Sequence, residues 1–173
     1  LGQVTAPTTH TPRIPMRRWF GTMVMLPIVG IVIGAIGVGL GSAIYETIEQ
    51  VTSRSFDDLL ALLAAVTFTV INVIAVSAFA FASGAVIGAY SGVALALGVL
   101  GIAIITSRRG TLPAIITTAT LGLLGSAGAT YGAIVTASAD AANLPALAPY
   151  ILGGLIFGII AANAALPKVR SLA

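Results

Sequence analysis

Five long apolar segments, none of which contains a charged residue, make up most of this chain and limit what it can fold into. Each exceeds or approaches the roughly 20 helical residues that cross a hydrocarbon core about 30 Å thick. A barrel strand would be shorter and would alternate in polarity, and lipid requires backbone hydrogen bonds to be satisfied internally, so helices are predicted. The segments are residues 19–45, 59–82, 85–106, 112–136 and 147–166.

The composition supports an integral membrane protein that crosses the bilayer several times. Charged residues make up 8% of the chain, against roughly 25% in an average soluble domain. The mean hydropathy is +1.08. We expect an extended tail rich in Pro and Thr at 1–18, a transmembrane helical domain at 19–166, and a short basic tail at 167–173. With this organisation, the predicted partners of the chain include the lipid bilayer.

The number of crossings is ambiguous between four and five. Segment length favours five helices, because 59–106 is too long for one simple transmembrane helix. The basic residues favour four crossings. If 59–106 crosses only once, every basic residue except Arg54 lies on one side of the membrane, as the positive-inside rule requires. We therefore expect a bundle of four to five transmembrane helices, with five favoured by length.

Glycine spacing is the one positive signal for helix packing. Small residues four apart form a flat groove along a helix, and a neighbouring helix can then approach closely. The pattern predicts glycine-lined packing faces, either within the bundle or against another subunit. The candidate packing residues are Gly30, Gly34, Gly84, Gly88, Gly92, Gly122, Gly125, Gly154 and Gly158.

The glycine run that starts at Gly30 and ends at Gly41 resembles the first helix of ATP-synthase proteolipid subunits. The resemblance covers about a dozen residues and would imply an ion-binding carboxylate midway along the next helix. The corresponding segment here has Asn72 and no acidic residue. The ion site of that family is therefore absent from this chain.

Polar residues inside the apolar segments are few. Asn72 and Asn163 are predicted to form hydrogen bonds between helices. Basic and aromatic residues at the segment ends are predicted to lie at the membrane interface. These interface candidates are Arg17, Arg18, Trp19, Arg108, Arg109, Lys168 and Arg170.

Several classes of function are unfavoured by the sequence. The chain has no cysteine, and its single histidine, His10, lies in the Pro-rich tail, so no metal site or cofactor is predicted. The apolar segments contain no ionisable Asp, Glu, Lys, Arg or His, which argues against a proton-coupled pump. No pair of groups suited to acid–base or nucleophilic catalysis stands out, so an enzyme is not predicted. The basic residues form no patch for nucleic acid.

The expected function follows from these exclusions. The preferred prediction is a non-catalytic accessory or structural subunit of a larger membrane complex, with other membrane subunits as partners. The alternative is a small transporter or channel for a neutral or hydrophobic solute. A transporter should carry its polar residues on one continuous inward stripe, whereas a subunit should expose glycine faces outward.

Overall fold

The computed structural model describes residues 16–52, 59–109, 112–136 and 139–170. Four helices account for nearly all of these residues, and the described part of the chain contains no strand. The prediction of an all-α chain is therefore confirmed for the described residues. The helices are α1 (Met16–Thr52), α2 (Leu59–Arg109), α3 (Ala114–Val135) and α4 (Leu144–Arg170).

The two predicted segments 59–82 and 85–106 form a single helix, so the preference for five helical segments is wrong. The junction contains neither proline nor a charged residue. The hydroxyl of Ser83 donates to the carbonyl oxygens of Phe79 and Ala80, 3.1 and 3.2 Å away, so it is satisfied within the helix. Nothing at this point interrupts the hydrogen bonding of α2, which continues for 51 residues.

The ends of α1 and α4 also differ from the expected positions. The first helix begins at Met16, inside the segment that the sequence assigns to the tail, while residues 1–15 and His10 lie outside the described residues. The last helix passes Pro167, where the sequence predicts its end, and reaches Arg170. Proline removes one backbone donor, and so close to the C-terminus the helix loses little else. The helix α1 likewise continues through Pro27.

Successive helices run antiparallel. Between α1 and α2, Gly30 meets Gly88 and Gly34 meets Gly84, so residue numbers rise on one helix as they fall on the other. The helix α3 packs against the second half of α2, and α4 packs against α3. This order places the start of α1 and the ends of α2 and α4 at one end of the bundle.

The hydrophobic core lies between the second half of α2, α3 and α4. Leu95, Val99 and Leu121 have almost no exposed surface. They pack in one cluster with Phe157 of α4. A smaller cluster around Ile87 joins α2 to α3 nearer the other end of the bundle. The first half of α2 contributes little to either cluster, and its main partner is α1.

Three of the described helices are long and apolar enough to cross a membrane, which indicates a multi-pass membrane protein by length and composition. The candidate spans are Phe20–Glu49 in α1, Val66–Ser107 in α2 and Leu144–Ala165 in α4. With 1.5 Å per residue, the 22 residues of α3 extend about 33 Å, and the 51 residues of α2 extend about 76 Å.

Candidate functional site

The closest contact in the structure joins α1 and α2 through glycines. A Cβ atom at Gly88 would lie 2.5 Å from the carbonyl carbon of Gly30, and one at Gly34 would lie 2.9 Å from the Cα of Gly88. A Cβ at Gly84 would lie 2.9 Å from the carbonyl carbon of Gly34. Gly92 continues the contact, because its Cβ would lie 2.6 Å from the Cα of Pro27. At this distance the two backbones leave no room for any side chain.

A second glycine contact joins α3 and α4. A Cβ at Gly154 would lie 2.7 Å from the carbonyl carbon of Gly125, and one at Gly158 would lie 2.7 Å from the Cα of Gly122. The structure therefore brings all nine predicted packing glycines to one of two helix–helix contacts. How much each glycine contributes to assembly and stability stays a prediction.

The contact between α2 and α3 uses glycines that the sequence analysis did not include. A Cβ at Gly128 would lie 2.7 Å from the Cα of Ser91, and one at Gly132 would lie 2.7 Å from the Cα of Ile87. The buried hydroxyl of Ser91 donates to the carbonyl oxygen of Gly125 at 3.0 Å. The four-residue spacing of Gly128 and Gly132 is the signal that could have identified this contact.

Three further glycines face open space and mark a groove between α1 and α4. Apart from the adjacent backbone of the same helix, no atom of the described residues lies within 4 Å of a Cβ placed at Gly37, Gly41 or Gly153. These glycines line a groove of about 670 Å³ whose floor is formed by α2 and α3. The groove runs along α1 from Gly30 to Glu46, a distance of about 24 Å at 1.5 Å per residue.

The groove is apolar over most of its length and polar at one end. Ser42, Tyr45 and Glu46 line it at its α1 C-terminal end. Tyr150 of α4 lies nearer its middle, where it packs with Val38 against the cluster around Ile87. Phe157 lies in the wall provided by α4. The residues that line the groove include one carboxylate and no basic side chain.

Ser91 also lines the groove, whereas the two asparagines predicted to bond between helices are not among its lining residues. Asn72 is half-buried on α2, whereas Asn163 is exposed on α4. Their predicted role in interhelical hydrogen bonding stays a prediction. Thr117 donates to the carbonyl oxygen of Pro113 in the adjacent turn, 3.3 Å away. Within the described ranges, no group of three His, Asp or Glu side chains could hold a metal ion.

The N-terminal half of α2 and the C-terminal part of α1 form a projecting hairpin, defined here as residues 41–52 and 59–79. The helix α3 ends at Val135, about one turn after Gly132 meets Ile87, so the hairpin extends beyond α3. Its outer surface is apolar: Leu63, Ile71 and Ile74 are 60%, 59% and 65% exposed.

The predicted interface residues fall at three helix ends. Arg17, Arg18 and Trp19 belong to the first turn of α1, Arg108 and Arg109 end α2, and Lys168 and Arg170 lie in the last turn of α4. These ends share one side of the bundle. Their role at the membrane surface stays a prediction.

Comparison of the chain with protein-family models, curated proteins and solved structures finds no match.

Proposed function

We propose that this protein is a non-catalytic assembly subunit of a larger membrane complex. The observation that carries the proposal is the projecting hairpin, an apolar surface that the described residues of the chain leave uncovered. In an assembly, other membrane subunits would cover that surface. Three features support the proposal: the length of α2, the polarity of the hairpin and the charges at the two ends of the bundle.

The length of α2 exceeds what one bilayer can accommodate. The helix α3, at about 33 Å, matches a hydrocarbon core of about 30 Å, but α2 is more than twice as long. If the bilayer surrounds α3 and α4, the hairpin extends beyond it. Tilting cannot absorb this difference, since transmembrane helices tilt by about 20° on average.

The hairpin is too apolar to remain in water. Burying one Leu or Ile side chain contributes about 1.5–3 kcal/mol, and the hairpin exposes Leu63, Ile71, Ile74 and several others. Monomeric soluble surfaces rarely contain apolar patches of this extent, and such patches usually mark interaction sites. Contact with another apolar protein surface removes the cost and accounts for the absence of charged residues from 59–79.

The distribution of charge supports four crossings, with the two ends of the bundle on opposite sides of the membrane. The start of α1 and the ends of α2 and α4 contribute the basic residues of one side. The described acidic residues Glu46, Glu49 and Asp140 lie at the opposite end. The positive-inside rule places the basic side in the cytoplasm or its equivalent, so the hairpin projects from the opposite face.

This orientation predicts a side-specific labelling pattern. The chain has no cysteine, so Ser107→Cys and Asp140→Cys each introduce a single reactive thiol. In sealed, right-side-out vesicles, a membrane-impermeant maleimide should label the cysteine at position 140 and leave the one at position 107 unlabelled until the vesicles are opened. Labelling of both positions would contradict a crossing by α3 between them, and labelling of position 107 alone would contradict the orientation.

The alternative of a small transporter or channel draws support from the groove between α1 and α4. A volume of about 670 Å³ falls in the range of small-molecule sites. However, the hydroxyls of Ser83, Ser91 and Thr117 donate to backbone carbonyls instead of lining a continuous polar stripe. This arrangement favours the assembly role over solute transport.

The first experiment is extraction from the native membrane in a mild detergent, followed by native mass spectrometry. We expect the protein to be recovered in fixed stoichiometry with unlike membrane subunits. Recovery as a lone chain or as a homo-oligomer would overturn the assembly role and favour transport, which flux measurements in liposomes would then test.

Photo-crosslinking identifies the surface that the partner covers. A photoreactive phenylalanine analogue at Ile71 or Ile74 should form adducts with another protein subunit. The matched control is Leu123 on α3, which is 68% exposed but lies at the level of the bilayer, so it should form adducts mainly with lipid. Equal protein adducts at both places, or none at the hairpin, would contradict a role for the hairpin in assembly.

A further inference from the structure

The groove between α1 and α4 is apolar along most of its length and negatively charged at one end, and this difference favours some ligands over others. Most of its wall is glycine or aliphatic, which suits an apolar body, and the open space at Gly37 and Gly41 leaves room for it. At one end lies the carboxylate of Glu46, close in sequence to Ser42 and Tyr45 in the same wall. A ligand that fills the groove therefore meets apolar surface along its length and a negative charge at one end.

We propose that this groove binds a lipophilic amine, that is, a positively charged ammonium group on an apolar body without an anionic group. Glu46 would pair with the ammonium, and the apolar body would extend along α1 towards Gly34. This proposal concerns a ligand and does not depend on the assembly role of the hairpin.

Charge complementarity determines the sign of the ligand. A carboxylate attracts a cation more strongly beside low-dielectric walls than in water. Tyr150 packs with Val38 against the cluster around Ile87, about 12 Å before Glu46 along α1, so it contacts the apolar body of the ligand. Tyr45, next to Glu46 in the groove lining, contributes an aromatic ring at the polar end, and the faces of such rings attract ammonium groups as well. The proposed ligand therefore gains both from Glu46 and from the aromatic ring of Tyr45.

The same residues disfavour phospholipids. A phospholipid headgroup brings a phosphate, and phosphate recognition in proteins relies on Arg, Lys or backbone donors. The groove lining offers no basic side chain, and its one charged residue would repel the phosphate. Zwitterionic phospholipids should therefore leave the polar end of the groove to a ligand with only a positive charge.

The test uses tritiated decyltrimethylammonium with the full chain in phosphatidylcholine nanodiscs, with empty nanodiscs subtracted as background. The quaternary ammonium keeps its charge at every pH. We expect saturable binding that unlabelled decyltrimethylammonium displaces. Decylphosphocholine, which carries the same ammonium and tail plus a phosphate, and decanol, which has no charge, should displace it at least tenfold less well. Equal displacement by either compound would overturn the proposal.

Substitutions with matched controls locate the site. Glu46→Gln should raise the Kd at least tenfold, whereas Glu49→Gln, one turn further along α1 and outside the groove lining, should leave it within twofold. Gly41→Leu should block binding by filling the groove, whereas Gly21→Leu, also in open space but away from the groove, should not. If the two glutamine variants weaken binding equally, the charge acts non-specifically and the proposal is wrong. The glutamine pair decides the question even if Gly41→Leu reduces the yield of folded protein.

Discussion

Replacing Gly88 with alanine is expected to lower the free energy of unfolding by about 1–3 kcal/mol, the cost of forcing an extra methyl group into a packed interface. The added Cβ would lie 2.5 Å from the carbonyl carbon of Gly30 and closer still to its oxygen. Backbone atoms cannot rotate away as a flexible side chain can, so α1 and α2 must move apart. In lipid, no hydrophobic driving force holds helices together, so nothing compensates for the loss of close packing.

The control for this prediction is another glycine of the same helix. No atom lies within 4 Å of a Cβ placed at Gly101. Gly101→Ala should stabilise the protein by about 0.5–1 kcal/mol, because alanine loses less conformational entropy than glycine in a helix. Unfolding both variants with SDS in mixed micelles, followed by circular dichroism, measures the two effects. Changes of the same sign would show that backbone approach at Gly88 does not hold α1 against α2.

The helical class of this chain was predictable because lipid permits few alternatives. Uncharged apolar segments about as long as a bilayer is thick must satisfy their backbone hydrogen bonds locally, and helices do so. The glycine contacts were also accessible to sequence reasoning. Spacing by four places Gly30 and Gly34 on one side of α1, where the structure finds Gly88 and Gly84.

The continuity of α2 was not predictable from segment length. Segment length compares a helix with the thickness of the bilayer, so it predicts a break wherever an apolar stretch exceeds about 20 residues. A helix ends for local reasons, such as a proline, and none occurs at Ser83 and Gly84. The Ser83 hydroxyl bonds to carbonyl oxygens of the preceding turn without ending the helix. The distribution of basic residues favoured a single crossing by 59–106, which is compatible with one continuous helix, and the number of crossings stays a prediction.

The groove could not be predicted, because the same residue type lines it and forms the helix contacts. Gly34 and Gly37 both lie in α1, yet Gly34 meets the backbone of α2 and Gly37 faces open space. The difference depends on where α4 lies relative to α1, and α4 is placed by its contact with α3. A local pattern of glycines carries no information about this indirect placement of α4.

The same distinction predicts opposite effects for two adjacent residues of α4. A Cβ at Gly154 would lie 2.7 Å from the carbonyl carbon of Gly125 and 2.7 Å from the Cα of Ser126, whereas one at Gly153 has no atom within 4 Å. We expect Gly154→Ala to destabilise the protein by about 1–3 kcal/mol. Gly153→Ala should stabilise it by about 0.5–1 kcal/mol.

The pair is a strict comparison because both substitutions add the same methyl group at the same depth in the same helix. Differences in helix propensity and in the unfolded state therefore nearly cancel, and the remaining difference reports that Gly153 is exposed whereas Gly154 is buried against α3. The hydroxyl of Ser126 donates to the carbonyl oxygen of Ile151 at 2.9 Å, and separation of α3 from α4 at Gly154 should weaken this hydrogen bond as well. Unfolding by SDS should therefore rank the proteins as Gly153→Ala, unsubstituted and Gly154→Ala in decreasing stability, and the reverse order would mean that α4 is not held against α3 at these glycines.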